Sequence, residues 1–345
     1  MCNYNKTPKR WIETYVSVLT LRPRRGDLRS EVVTVGTVVL SVDAELGWGY
    51  HDLTAPPTDR VEAGRKSWLT LLELLDTYRV PATWAVVGHL FLSECDRAHA
   101  MHPIGDTWFA SERDEWADRP DLRFAPSLIR AITVAEADHE IGCHTFSHVD
   151  FGADSTTTPI AREELVASLE AAESSPLPAA MSSVVFPHNS VGHRDVLAEW
   201  GFTSYRGVGP NGQPPATSAL RTIGRATIAT PPLVQPYIDE FGLVNVPASM
   251  HLYGLSGSAG RVCERLWGDL TVAAACRGID AATVGDGVFH LWLRPNDLLS
   301  DHDIERLRTV LAYIARRREL SGLNVRTMRE VAKRVRSEPV SSLQT

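Results

Sequence analysis

Two histidines four residues apart, His144 and His148 in HEIGCHTFSHVDF, could serve one metal ion. Side chains at that spacing face the same way if the backbone is helical or tightly turned. A carboxylate must come from elsewhere, and LSVDAELGWG offers two, Asp43 and Glu45. One residue apart, they project to the same side if their strand runs to its end. A carboxylate joined to two imidazoles makes a three-ligand site that keeps positions open for water and substrate. The other carboxylate could take a proton from water that the ion has acidified. Each pair alone also has an ordinary explanation, since acidic residues at a loop start are commonly solvated and histidines fall four apart by chance.

The elements around these residues alternate. TVVLSVD (37 to 43) is a β-branched run ending at the acidic pair. The stretch 60 to 79 carries Val61, Trp68, Leu71, Leu72, Leu75 and Tyr78 on a helical stripe. PATWAVVG (81 to 88) reads as a strand, 126 to 138 as a helix, and HEIGCHT as a strand ending at the histidines. Then come a helix at 160 to 173, the strand SSVVFPHN (182 to 189), a helix at 194 to 200 and the strand TSYRG. The strand LVNVPASM (243 to 250), a helix near 261 to 277, the strand VFHLWLRP (288 to 295), a helix at 301 to 319, the strand LNVRT and a last helix complete the chain.

Strand then helix, repeated about seven times, predicts an α/β fold with parallel strands, closed as a distorted (β/α)7-type barrel. Strand ends of such a barrel converge on one rim. Here they carry Asp43 and Glu45, His144 and His148, His188 and Asn189, and Arg294 to Asp297. Loops at 99 to 125, with Trp108, Phe109 and Trp116, and at 207 to 242 are long enough to be lids, binding walls or surface insertions.

Composition restricts the function. The 345 residues carry a net charge of −7 with 22% charged and 43% hydrophobic side chains. That balance suits a soluble globular protein and argues against nucleic acid as a partner; no stretch approaches the roughly 20 apolar residues of a membrane span. A small-molecule partner is expected, and self-association stays open. Five cysteines without a CxxC spacing (Cys2, Cys95, Cys143, Cys263, Cys276) point to reduced thiols and a cytoplasmic setting. Residues 1 to 35 read as a basic, poorly ordered leader, 36 to 336 as one barrel domain and 337 to 345 as a tail.

VLSVDAELGWG, PATWAVVGHLF, HEIGCHTFSHVDF, SSVVFPHNSVGH and FHLWLRPNDL resemble, in order and spacing, the motifs of the polysaccharide deacetylase superfamily (carbohydrate esterase family 4), especially its cytoplasmic branch with an Asp-x-Glu first motif. The resemblance covers roughly 37 to 330. It implies hydrolysis of an N-acyl group with a divalent metal, usually zinc, held by Glu45, His144 and His148, and Asp43 as general base. Two positions depart from the family pattern. His188 stands where relatives have an arginine that orients the aspartate, and Arg294 where they have the histidine that protonates the departing amine.

An arginine stays charged and is a poor proton donor, though it can stabilise an oxyanion. The two changes suggest an exchange, an imidazole at 188 against a guanidinium at 294. Asp43, His188 and Arg294 are therefore the expected catalytic residues, and Trp48, Asn189 and Trp292 the expected substrate contacts. Trp48 could equally be a core side chain, and His290 reads as buried. His251 and His193 are weaker candidates. The expected activity is deacylation of a small soluble amino sugar or amine metabolite. The alternatives are a non-hydrolytic step of specialised metabolism on the same metal scaffold, or a ligand-binding pseudoenzyme in which Glu45, one methylene longer than aspartate, crowds the ion.

Overall fold

The structure is a computed structural model that describes residues 35–53, 55–95, 99, 101–110, 116–175, 179–208, 230–254 and 269–337. The expected leader up to residue 34, the tail from 338, Cys2, Cys263, most of the 207 to 242 loop and residues 261 to 268 lie outside the described residues.

Strand β1 (Thr37–Ala44) is buried along its whole length. On one side it pairs in parallel with β9 (Val288–Leu293) over six residues. On the other side its first half pairs with β10 (Asn324–Arg326) and its second half with β2 (Thr83–Val86). The sheet continues through β3 (Glu140–Cys143), β4 (Ser183–Val185) and β5 (Ser204–Arg206) to β7 (Val244–Asn245), while β8 (Met250–His251) flanks β9. Of these strands only β6 (Tyr237–Ile238), on β7, runs antiparallel.

The two ends of that order are one piece of chain. Val246 and Ala248 donate to Tyr205 and Gly207 beside β5, at 2.9 and 3.1 Å, whereas Ser249 and Leu252 donate to His290 and Trp292 of β9, both at 2.9 Å. The sheet thus closes on itself as a distorted barrel. The sequence predicts one strand over 243 to 250; Pro247, which has no N–H to give, sits where the chain leaves one neighbour for the other.

Eight helices are described: α1 (Thr58–Thr77), α2 (Pro120–Arg123), α3 (Pro126–Thr133), α4 (Thr158–Glu173), α5 (Arg194–Glu199), α6 (Leu270–Val284), α7 (Asp301–Ser321) and α8 (Met328–Ser337). Among the described residues none is long and apolar enough to cross a membrane. Alternation along β1 sends Val38, Leu40 and Val42 outward to the helices and Val39 into the barrel. In the outer layer Trp68 of α1 stacks on Trp84 of β2 with centroids 5.3 Å apart.

Inside the barrel, Val39, Ala85, Val185, Val244, Val246 and Val288 meet Met328, Val331 and Ala332 of α8, which closes the end away from the acidic pair. Buried Glu140 sits there too. It accepts from Thr83 Oγ1 (2.9 Å), Ser183 Oγ (2.5 Å) and the backbone N–H of Arg329 (2.8 Å), so it satisfies one of the free donors in the first turn of α8.

At the other end, α1 secures the turn after β9: Ser67 Oγ donates to Leu298 O (2.6 Å) and Arg60 Nε to Asn296 O (3.1 Å). Gly64 permits this approach, because a Cβ there would stand 1.8 Å from Asn296 Oδ1. Gly64→Ala is expected to destabilise the protein by about 1–3 kcal/mol through overpacking, seen as a lower unfolding midpoint in denaturant.

Candidate metal centre

Glu45, His144 and His148 come from two strand ends and converge, with their ligand atoms all within 4.8 Å of one another. Glu45 Oε2 lies 3.2 Å from His148 Nε2 and 3.5 Å from His144 Nε2. Two donors about 2.1 Å from an ion at a tetrahedral angle stand about 3.4 Å apart, so these separations suit one ion and the longer glutamate does not crowd it. All three side chains are at least 95% buried.

His144 Nδ1 is 2.7 Å from Val185 O, which fixes that nitrogen as the donor and turns the lone pair of Nε2 toward the site. Nε2 makes no hydrogen bond among the described residues. Burial, against the opposing pull of Glu45, lowers the pKa of His148 to about 4, so it enters the site as a neutral imidazole. Burial alone would raise Glu45, but Arg294, His144 and His148 together hold it well below the usual carboxylate range.

The four-residue spacing works through a turn and not a helix. Strand β3 ends at Cys143, and Thr145 (φ 61°) and His148 (φ 65°) adopt left-handed conformations that fold the chain back. Glu164 of α4 holds that turn, accepting from the backbone N–H groups of Phe146 and Ser147 (both 2.8 Å) and from Ser147 Oγ (2.5 Å), with His102 Nε2 at 3.1 Å. Neither Glu164 nor His102 was marked by the sequence, since one acidic residue on a helix has no spacing to announce it.

Asp43 and Glu45 take different partners. Strand β1 stops at Ala44, and Glu45 opens a 3-10 turn (Leu46–Tyr50). Asp43 is clamped by Arg206 of β5, with Nη1 to Oδ1 at 2.6 Å and Nη2 to Oδ2 at 2.8 Å. Burial, which would raise its pKa, is outweighed by this guanidinium, which lowers it. Arg206 also donates to Ser41 Oγ (3.0 Å) and Asn189 Oδ1 (2.9 Å).

Ser41 Oγ in turn lies 2.9 Å from His290 Nε2, whose Nδ1 meets Val246 O at 3.1 Å. His290 is buried and neutral, its pKa lowered to about 3 by burial and by Arg206. It anchors the base of the clamp.

The expected exchange between positions 188 and 294 is not what the geometry shows. The guanidinium on Asp43 belongs to Arg206, and Arg294 instead points Nε at Glu45 Oε1, 3.4 Å away. His188 stands exposed at the rim with its ring edge-on to His148, centroids 5.0 Å apart. Trp48 is corrected too. It is 1% exposed, packs against His89 with centroids 4.5 Å apart, and has no free face for a ligand. Asn189 is committed to Arg206, and Trp292 lies below the two guanidinium groups, with Arg206 Cζ 4.7 Å and Arg294 Cζ 5.4 Å from its ring centre. Of the loop at 99 to 125, Phe109 and Trp116 are core residues, and Trp108 Nε1 donates to Ser147 Oγ at 2.9 Å.

A family model for polysaccharide deacetylases matches residues 59–188, a span containing both histidines. No curated protein sequence matches the chain. Among solved structures the chain is similar to a protein from Pseudomonas aeruginosa PAO1 assigned as a polysaccharide deacetylase (TM-score 0.58, 12% identity, 88% of this chain and 92% of the other). It is also similar to one from Mycobacterium smegmatis with the same assignment (0.54, 17%, 92% and 95%), and to Puue allantoinase (0.52, 11%, 86% and 89%). At these identities the structures speak for the fold. Over residues 59–188 the chain is thus similar to polysaccharide deacetylases, a deacetylase-like class of hydrolases acting on carbon–nitrogen bonds, and its fold is theirs.

Arg206→Met should leave Asp43 buried without its cation and cost about 3–5 kcal/mol at pH 7. Because Arg206 lowers the folded pKa of Asp43, the stabilisation is present above the ordinary carboxylate pKa and lost as pH falls through the depressed value. Denaturant melts of both proteins should therefore differ most near neutrality and converge in acid.

Proposed function

We propose that the protein is a metal-dependent amide hydrolase that removes an acyl group from a small soluble amino sugar or amine metabolite. The observation that carries this reading is the separation of Glu45 Oε2 from two imidazole nitrogens by 3.2 and 3.5 Å, with Asp43 on the same strand end. Glu45, His144 and His148 would hold the ion, and zinc fits two nitrogens and one oxygen. When bound, such an ion polarises a carbonyl and acidifies water.

The side chains supply the rest. Asp43, ionised and pinned by two hydrogen bonds from Arg206, is the base that accepts a proton from the attacking water. Its orientation is locked, which a general base needs more than a high pKa. Arg294, its pKa raised further chiefly by Glu45, is a fixed cation near the mouth and stabilises negative charge developing on the acyl oxygen. His188 at the exposed rim offers an imidazole to substrate. The cytoplasmic setting and the preference for a small molecule over a polymer rest on charge, on cysteine usage and on the family branch whose first motif is Asp-x-Glu.

Purified protein should bind one equivalent of zinc at this centre, and a panel of N-acetylated amino sugars and amines should release acetate only when it is loaded. His144→Ala should lower both zinc retention and acetate release by at least 100-fold. Chelated protein that works as fast as loaded protein would refute the reading.

A further inference from the structure

The site just described has a base but no obvious proton donor for the nitrogen that leaves. When the C–N bond of an amide breaks, the nitrogen must gain a proton, because an amide anion is too basic to depart. Arg294, the side chain at the end of β9, keeps its proton at any pH the protein meets. A donor must therefore come from elsewhere on the rim.

His251 of β8 stands beside Trp292 in register. Trp292, His290 and Arg294 alternate along the barrel-facing side of β9, so His251 shares that face. Its ring stacks on Trp292 with centroids 4.0 Å apart and planes 18° from parallel. Its Nε2 lies 3.0 Å from Asp297 Oδ2, a carboxylate that is 4% exposed, while the imidazole itself is 22% exposed. A histidine gripped through one nitrogen by a buried carboxylate keeps the other available, and here the contact to Asp297 engages Nε2 and leaves Nδ1. Asp297 is itself held in place by the backbone N–H of Arg294 (2.9 Å) and by Arg60 (3.4 Å). The turn that carries Arg294 also carries the partner of a different imidazole.

We propose that His251, oriented by Asp297, is the catalytic acid of this protein and protonates the departing nitrogen from Nδ1. The inference rests on the amide-hydrolase reading. One proton of the attacking water goes to Asp43 and its oxygen bonds to the acyl carbon. The C–N bond breaks as His251 gives its proton to nitrogen, and exchange with solvent returns a proton from Asp43 to His251, so no further reagent is required. The charges around His251 are Asp297 against it, Arg60 on that carboxylate, Arg206 and Arg294 over Trp292, and the group Asp269, Asp303 and Arg306 around neighbouring Tyr253.

Zinc-loaded wild type, His251→Gln and Asp297→Asn would be compared on 4-nitrophenyl acetate, whose phenolate leaves without a proton, and on acetanilide, N-acetylglucosamine and its dimer. The expected result is a fall of about 10²–10⁴-fold in kcat/KM on amides for His251→Gln, with ester hydrolysis within about fivefold of wild type and zinc content unchanged. Asp297→Asn should lose amide hydrolysis selectively in the same way, with ester hydrolysis within about fivefold of wild type and zinc content unchanged. Equal losses on ester and amide, no loss on either, or loss of zinc from His251→Gln would overturn the proposal alone. A zinc-loaded wild type that cleaves none of the amides would overturn the hydrolase reading and the proposal with it.

Discussion

Two carboxylates one residue apart are buried together at the end of β1, and each needs a positive partner. A buried carboxylate without one is costly enough to be protonated or expelled. Asp43 is neutralised by the guanidinium of Arg206, which crosses from β5 and is itself anchored through Ser41 and His290. Glu45 faces Arg294 and two imidazoles. This division separates their surroundings, since one carboxylate is fixed by hydrogen bonds while the other stays open toward the two imidazoles.

The clamp on Asp43 makes barrel closure a requirement of the site. Arg206 reaches β1 only because β5 lies opposite it across a closed barrel, and closure depends on the segment 244 to 252 leaving β5 for β9. His290 is held by Val246 O within that segment. On the other side, the left-handed turn at Thr145 and His148 is stabilised by Glu164, so the imidazoles are placed by a helix outside the barrel. Asp43 and the two imidazoles are thus supported by different layers, and both supports are buried polar networks whose members are largely satisfied within the protein.

The two departures from the family pattern take on a different meaning in three dimensions. His188 does not replace an arginine's contact with the aspartate, because Arg206 already makes it. Arg294 does not sit in a proton donor's role, because Glu45 and Trp292 engage it as a cation. What the turn after β9 retains is a buried carboxylate, Asp297, with an imidazole from the neighbouring strand against it.

The sequence by itself determined the strand-and-helix order and the rim residues Asp43, Glu45, His144 and His148, because periodicity and short spacings are local properties that a linear chain displays. It also marked TSYRG as a strand, yet nothing local said that the arginine in it would cross the barrel. Only the tertiary structure decided that Arg206 pairs with Asp43, 163 positions away, that Glu164 holds the histidine turn and that Trp48 is core. Those contacts form when closure brings distant strand ends and helices within hydrogen-bonding reach, and burial then forces each charge to find a partner whose place in the sequence is unconstrained.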